Sequence, residues 1–152
     1  MEKTLQIQIP KGFKIEDFDI NSGIIKFTTE SIIERIKSID DAINELGEED
    51  EEVKLLRFLE PIIGEETHVY GHQQAVVIAK SLNEGWVADF SNSYQPKYEA
   101  RFYYDSSAGG FVYNDYDYWD TNTDVGSHLC FPTSELAKYF GTQFIEIHNK
   151  YL

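Results

Sequence analysis

His68 and His72 stand four residues apart, a spacing that can set two imidazoles on one helix face as metal ligands. Gly71 interrupts the segment and no third ligand follows at zinc spacing. The pair is therefore expected to straddle a helix start, and no metal is assigned to it. Asp115, Asp117, Asp120, Asn122 and Asp124 form a carboxylate-rich series that has the look of a calcium loop at DTNTDVG. Its sixth position is Val125 where the sharp turn needs Gly, and its twelfth is Phe131 where a bidentate Glu belongs. Turn chemistry at solvated strand ends accounts for these side chains. The single cysteine, Cys130, lies between Leu129 and Phe131, an apolar setting that suits a buried, inert thiol. His128 would share its strand face but stand about 7 Å away. No GxSxG, P-loop, HExxH or dinucleotide fingerprint occurs. The chain reads as non-enzymatic and without a cofactor. An enzyme acting on a small molecule is the third-ranked reading, to be revived by a deep pocket with convergent ionisable groups.

The strongest chemical signal is aromatic. Tyr94, Tyr98, Tyr103, Tyr104, Tyr113, Tyr116, Tyr118 and Trp119 are interleaved with Asp, Asn, Ser and Gly. Rigid rings among small polar residues are the composition of adaptable binding surfaces. The rings could equally complete a second core face. Tyr116, Tyr118, Trp119, Asp115 and Asp117 are the candidate ligand-binding residues, with Trp86 and His128 beside them. On an uninterrupted strand, Tyr116 and Tyr118 share one face with Val112 and Asn114. Phe111, Tyr113, Asp115, Asp117 and Trp119 share the other. The second face reads as the core side because of Phe111, which would turn two aspartates inward at a cost. The strand is therefore expected to end or bulge near Asn114-Asp115, leaving Tyr116 and Tyr118 in an exposed extension.

The elements that must position these residues follow from periodicity. Leu5, Ile7 and Ile9 alternate with Gln6 and Gln8 as a strand does, and residues 24–28 form a second candidate, together a long-looped N-terminal hairpin. Phe13, Ile15 and Phe18 between them have irregular spacing. Helical patterns cover residues 30–37 and the stretch after Ser38, whose spacing to Asp41 is that of a capping box. The acidic run 48–52 reads as a solvated helix start, or else as a dock for a basic partner. A short helix from Val53 is expected to stop before Pro61, with a loop over 62–70. Residues 71–83 form a helix with Ala75, Val76, Ile78, Ala79 and Leu82 inward. Strands are expected at 98–104, 110–119 and 126–131, joined by turns at 105–110 and 120–124. Thr133 caps a long C-terminal helix whose stripe is Leu136, Tyr139, Phe140, Phe144, Ile147 and Tyr151.

The fold class expected is α+β. A small antiparallel sheet of three C-terminal strands packs against helices, including the long C-terminal one. The N-terminal hairpin either extends that sheet or forms its own. The 152 residues read as one domain, with the hairpin and short acidic helices in 1–66 and a helix–three-strand–helix core in 67–152. A net charge of −14 disfavours direct binding to nucleic acid or to anionic membranes and leaves basic proteins or cations as partners. One cysteine allows no internal disulfide. The opening MEKTLQIQIP has no apolar leader core, and no apolar run nears the roughly 20 residues of a membrane span. A bacterial cytoplasm is the expected location, unless the protein is assembled into a virion.

Four segments carry a resemblance: LNEGWVADFSNSYQPKYEARFYY, GGFVYNDYDYW, VGSHLCF and SELAKYFGTQFIEIHNKYL. Together they resemble a family of small uncharacterised proteins carried by phages and prophages of Bacteroidetes bacteria, with a C-terminal pattern GxxLCFxSxELAxYxGxQF. The match spans roughly residues 82–152, with weaker similarity in IPKGF and AINELGEEDEEV. The resemblance implies a phage or mobile-element origin and no particular activity. Phe90 stands where relatives have Trp and His128 where they have Arg, so a ligand role of that Arg would be pH-dependent or absent here. The reading that follows is a non-enzymatic binding protein for a protein or small ligand. Its rival is an acidic decoy that mimics nucleic acid and inhibits a host DNA-binding or defence protein.

Overall fold

A computed structural model of the chain describes residues 4–152. The chain is α+β, and its described residues form six α-helices and two antiparallel sheets of two strands each. It divides into two compact units, one ending at Arg35 and one beginning at Ile36. No helix among the described residues is long and apolar enough to cross a membrane.

In the first unit β1 (Phe13–Asp19) pairs with β2 (Ile24–Thr29), and α1 (Ile32–Arg35) follows. The hairpin thus forms its own sheet. Asp19 caps the turn, accepting from the Asn21 N–H at 2.9 Å, and Gly23 supplies the positive φ of 70°. Leu5, Ile7 and Ile9 were expected to be its first strand, yet they lie outside any strand. The true strand was masked by a bulge. The pairing runs from Ile15↔Phe27 to Asp17↔Lys26, so Glu16 is the extra residue and breaks the period of two.

The second unit is built around α4 (His68–Leu82), which is buried along most of its length and packs on α2 (Ile39–Leu46), α3 (Glu51–Ile63) and α6 (Ile145–Tyr151). Ser38 and Asp41 make the expected capping box on α2. The acidic run is the start of α3: Asp50 caps it and Glu51 and Glu52 lie in its first turn. Two departures here concern helix ends. The α3 helix passes through Pro61 to Ile63 rather than stopping before it. Losing one N–H is tolerated so close to a C-terminus, which Gly64 closes by donating to the Glu60 carbonyl at 3.1 Å. The α4 helix starts three residues early, capped by Thr67, so Gly71 is inside it and the two histidines do not straddle its start. Glycine serves close packing there: a Cβ at Gly71 would lie 2.6 Å from the Lys150 Cβ on α6.

The second sheet pairs β3 (Lys97–Asp105) with β4 (Gly110–Trp119), as expected. Its third strand is absent. Gly126, at φ 79°, turns the chain into one 3₁₀ turn at Ser127–Leu129, and only Phe131 reaches β3, exchanging two 2.9 Å hydrogen bonds with Tyr98. The long C-terminal helix is also two helices. α5 (Ser134–Gln143) breaks at Phe144, whose ψ is 29°, before α6 resumes. The His148 ring lies 2.9 Å from the Phe140 carbonyl that the break leaves free. Both helices lie on the sheet, and Phe140 and Phe144 are buried as the stripe predicts, with Phe131 packed on Phe140 at 4.9 Å between ring centroids.

Candidate functional site

The bulge in β4 decides what the aromatic strand presents. Arg101 pairs with Asp115 and Phe102 with Tyr113, so Asn114 is the inserted residue, where the parity conflict predicts a disruption. Its effect on the faces differs from the sequence expectation. The insertion moves Phe111 and Tyr113 onto the face of Tyr116 and Tyr118, and this shared face, not the aspartate face, carries the core. Its inner part is covered by α5: a Cβ at Gly141 would sit 3.1 Å from the Ala100 Cβ and closer still to the Tyr113 ring. Beyond the bulge the same face runs into solvent. Tyr98 packs both rings there, with centroids 5.7 Å from Tyr116 and 5.7 Å from Tyr118, and these two remain 39% and 60% exposed. Three rings thus form one contiguous platform. Tyr98 was not among the candidate residues; it is two residues from Ala100 on the neighbouring strand, and only the register brings it there.

The aspartates lie on the opposite face, as parity requires, and each has a donor. Asp117 takes the Arg101 guanidinium, Nε to Oδ2 at 3.2 Å, and Asp115 accepts from the Tyr116 N–H at 2.9 Å. Trp119 lies half-buried on this face, its indole N–H buried and without a partner. Trp86 and His128 are elsewhere. They line a groove of about 210 Å³ with Glu52, Val76, Lys80 and Asn83, between the end of α4 and the Gly126 turn. No β4 side chain lines it. The seven candidate residues therefore fall into three places: the Tyr116–Tyr118 face, the opposite face with Asp115, Asp117 and Trp119, of which Asp115 is exposed, and the Trp86–His128 groove.

A buried polar cluster lies behind the sheet, on the aspartate face. Lys97 is fully buried, its ammonium donating to the carbonyls of Asn92 at 2.9 Å and Asp120 at 2.7 Å and standing 5.3 Å from the Phe90 ring. Glu99, also buried, accepts from the Thr123 hydroxyl, from the Asp124 N–H at 3.2 Å and from the Cys130 thiol at 3.5 Å. These bonds pin the two loops flanking the sheet and so hold the turn before Cys130. Burial pushes the Cys130 thiol up to about 12, with the Glu99 carboxylate adding to the shift. A thiol that must donate to a carboxylate is the reverse of a thiolate nucleophile. Cys130 is expected to resist thiol reagents in the folded protein and to react at once in denaturant; fast labelling under native conditions would show an open, ionised site. The sequence signal for this cluster was the Lys97/Glu99 parity opposite the aromatic positions.

Compared with protein-family models, curated proteins and solved structures, the chain matches none. The reading of the site therefore rests on its geometry alone. His68 and His72 both line an open groove between α3, α4 and α6, together with Leu55, Leu59 and Tyr151. Among the described residues no group of three or more His, Cys, Asp or Glu side chains is placed to hold a metal ion.

Proposed function

We propose that the chain is a non-enzymatic binding protein of phage or prophage origin, and that it captures a protein or small ligand on the tyrosine platform of the C-terminal hairpin. The observation that carries this reading is the exposed contact of Tyr98, Tyr116 and Tyr118 on a strand whose inner half is anchored under α5. Rings held by their own neighbours lose little freedom on binding, so their area turns into affinity at small entropic cost. Each ring also presents a hydroxyl for hydrogen bonding at the rim of the contact.

The acidic decoy is favoured by one separate observation. Residues 36–152 hold 21 Asp and Glu against eight Lys and Arg, which places −13 of the −14 net charge in the second unit. Such a surface steers basic proteins, with an attraction that weakens as salt rises. The two readings separate in one experiment. Tyr116→Ala with Tyr118→Ala is expected to abolish capture of partners from host lysate, in low and high salt alike. The melting temperature should change little, because both rings are largely outside the core. Capture that survives the double variant and disappears in high salt would transfer the function to the charged surface. A variant that unfolds would place the rings in the core and remove the platform from consideration.

A further inference from the structure

The N-terminal hairpin has two faces of opposite chemistry. By its register Phe13, Ile15, Phe18, Ile25 and Phe27 share one face, and Lys14, Asp17, Asp19 and Lys26 share the other. The bulge at Glu16 keeps Phe18 with the apolar set; without the inserted residue it would turn to the charged side. The charged face is tied by Lys14–Glu34 at 2.7 Å and Lys26–Asp17 at 3.9 Å. The apolar face is open, with Phe13, Ile15, Phe18 and Phe27 all exposed. A two-stranded ribbon is marginally stable in water unless its apolar face is covered. A register set by a bulge and three Phe side chains is the mark of a face built to be packed.

We propose that the cover is the same face of a second copy, two hairpins packing face to face about a twofold axis as a four-stranded sandwich. Area permits it as a reversible contact. Phe13, Ile15, Phe18 and Phe27 are 38–55% exposed. At roughly 200 Å² for a fully exposed side chain the face offers on the order of 350 Å² per copy, less than the ~800 Å² per partner of a stable interface and fitting a contact that dissociates on dilution. Charge selects a second copy as the occupant. The apolar face carries no ionisable side chain, and residues 1–35 hold five basic and six acidic groups, a net charge of −1. The face itself adds no like-charge repulsion to a contact between two copies. A basic partner has no purchase on this face, whereas an uncharged row of rings and branched chains is complementary to itself, as an isologous contact requires.

Sedimentation velocity on the full chain tests the proposal. The wild type is expected to sediment as a dimer at high concentration, dissociate on dilution, and keep its dimer in high salt. Ile15→Lys with Phe27→Lys, which face each other across the strands, should reduce the mass to one chain. All ten Tyr and both Trp lie beyond residue 35, so near-ultraviolet circular dichroism reports whether the second unit stays folded in this variant. Thr28→Lys, on the charged face, should leave the dimer intact. Hydrogen exchange of the Phe13–Thr29 amides in the wild type should slow as concentration rises. A wild type that is monomeric at every concentration, a double variant that still dimerises, or hairpin exchange that ignores concentration would each overturn the proposal.

Discussion

Phe140→Ala is expected to lower stability by about 3–5 kcal/mol, the range for deleting a fully buried aromatic ring. Phe140 is buried where α5 meets both the sheet and α6, with ring centroids 4.9 Å from Phe131, 4.5 Å from His148 and 6.4 Å from Phe144. The cost of such a deletion depends on how far the surroundings can close over the space. They can close little here. Gly141 already lets the Tyr113 ring approach as near as it can, and a small pocket of about 70 Å³ lies beside Phe140, lined by Ala100, Phe102 and Leu129 and by the exposed Val125 and Leu152. Removing the ring would enlarge that pocket, and the loss is expected to stay within this range. Urea unfolding with an unchanged slope measures it. A loss under about 1 kcal/mol would show that the α5–sheet contact does not hold the hairpin's inner half, and the tyrosine platform would lose its anchor.

The sequence carried the second sheet's two strands, the α2 cap and the aromatic stripe of α5 and α6 because each is written in local pattern: alternation, a Ser-x-x-Asp spacing, a repeat of three and four. What it hid were interruptions made by contacts distant along the chain. Glu16 and Asn114 each insert one residue, so Phe13, Ile15 and Phe18 read as irregular and Phe111 and Tyr113, rightly read as coreward, were grouped with the aspartates and Trp119 instead of with Tyr116 and Tyr118. The first of these hid a strand; the second was foreseeable only because two aspartates would otherwise have faced the core. The residues 126–131 alternate like a strand, but Gly126 takes a positive φ of 79° and the Cys130 sulfur comes within 3.2 Å of the Gly126 carbonyl, so the segment curls into a turn. The break at Phe144 has no Gly or Pro to announce it. Of the candidate site, the exposure of Tyr116 and Tyr118 was legible from composition and parity. Tyr98 was not, since its place beside them depends on strand register.

The break at Phe144 leads to the second large effect, a loss of stability in mild acid that His148 controls. Its ring is fully buried between Phe102 and Phe140, and burial holds its pKa down to about 4, with the hydrogen bond to Phe140 opposing the shift. The Phe140 carbonyl can only accept, so Nε2 carries the proton and Nδ1 accepts from the Tyr151 hydroxyl, each at 2.9 Å. Burial also raises the Tyr151 pKa, so that hydroxyl keeps its proton and remains the donor. A second proton on the imidazole would therefore bury a charge and require the Tyr151 hydroxyl to turn and accept. Unfolded, the same side chain titrates near 6.5. Between that value and the folded one the unfolded state binds the extra proton and the folded state does not. Stability is thus full above pH 6.5 and falls as the pH drops toward 4. From neutral pH to about pH 5, before most carboxylates protonate, the loss is expected to be about 2 kcal/mol. His148→Gln keeps an N–H for the Phe140 carbonyl and cannot titrate. It should be less stable than the wild type at neutral pH and lose much less between neutral pH and pH 5. Urea midpoints for both proteins at the two pH values decide the matter. Parallel losses would assign the acid sensitivity to the carboxylates of the second unit, and His148 would be left as a packing residue that holds the α5–α6 break closed.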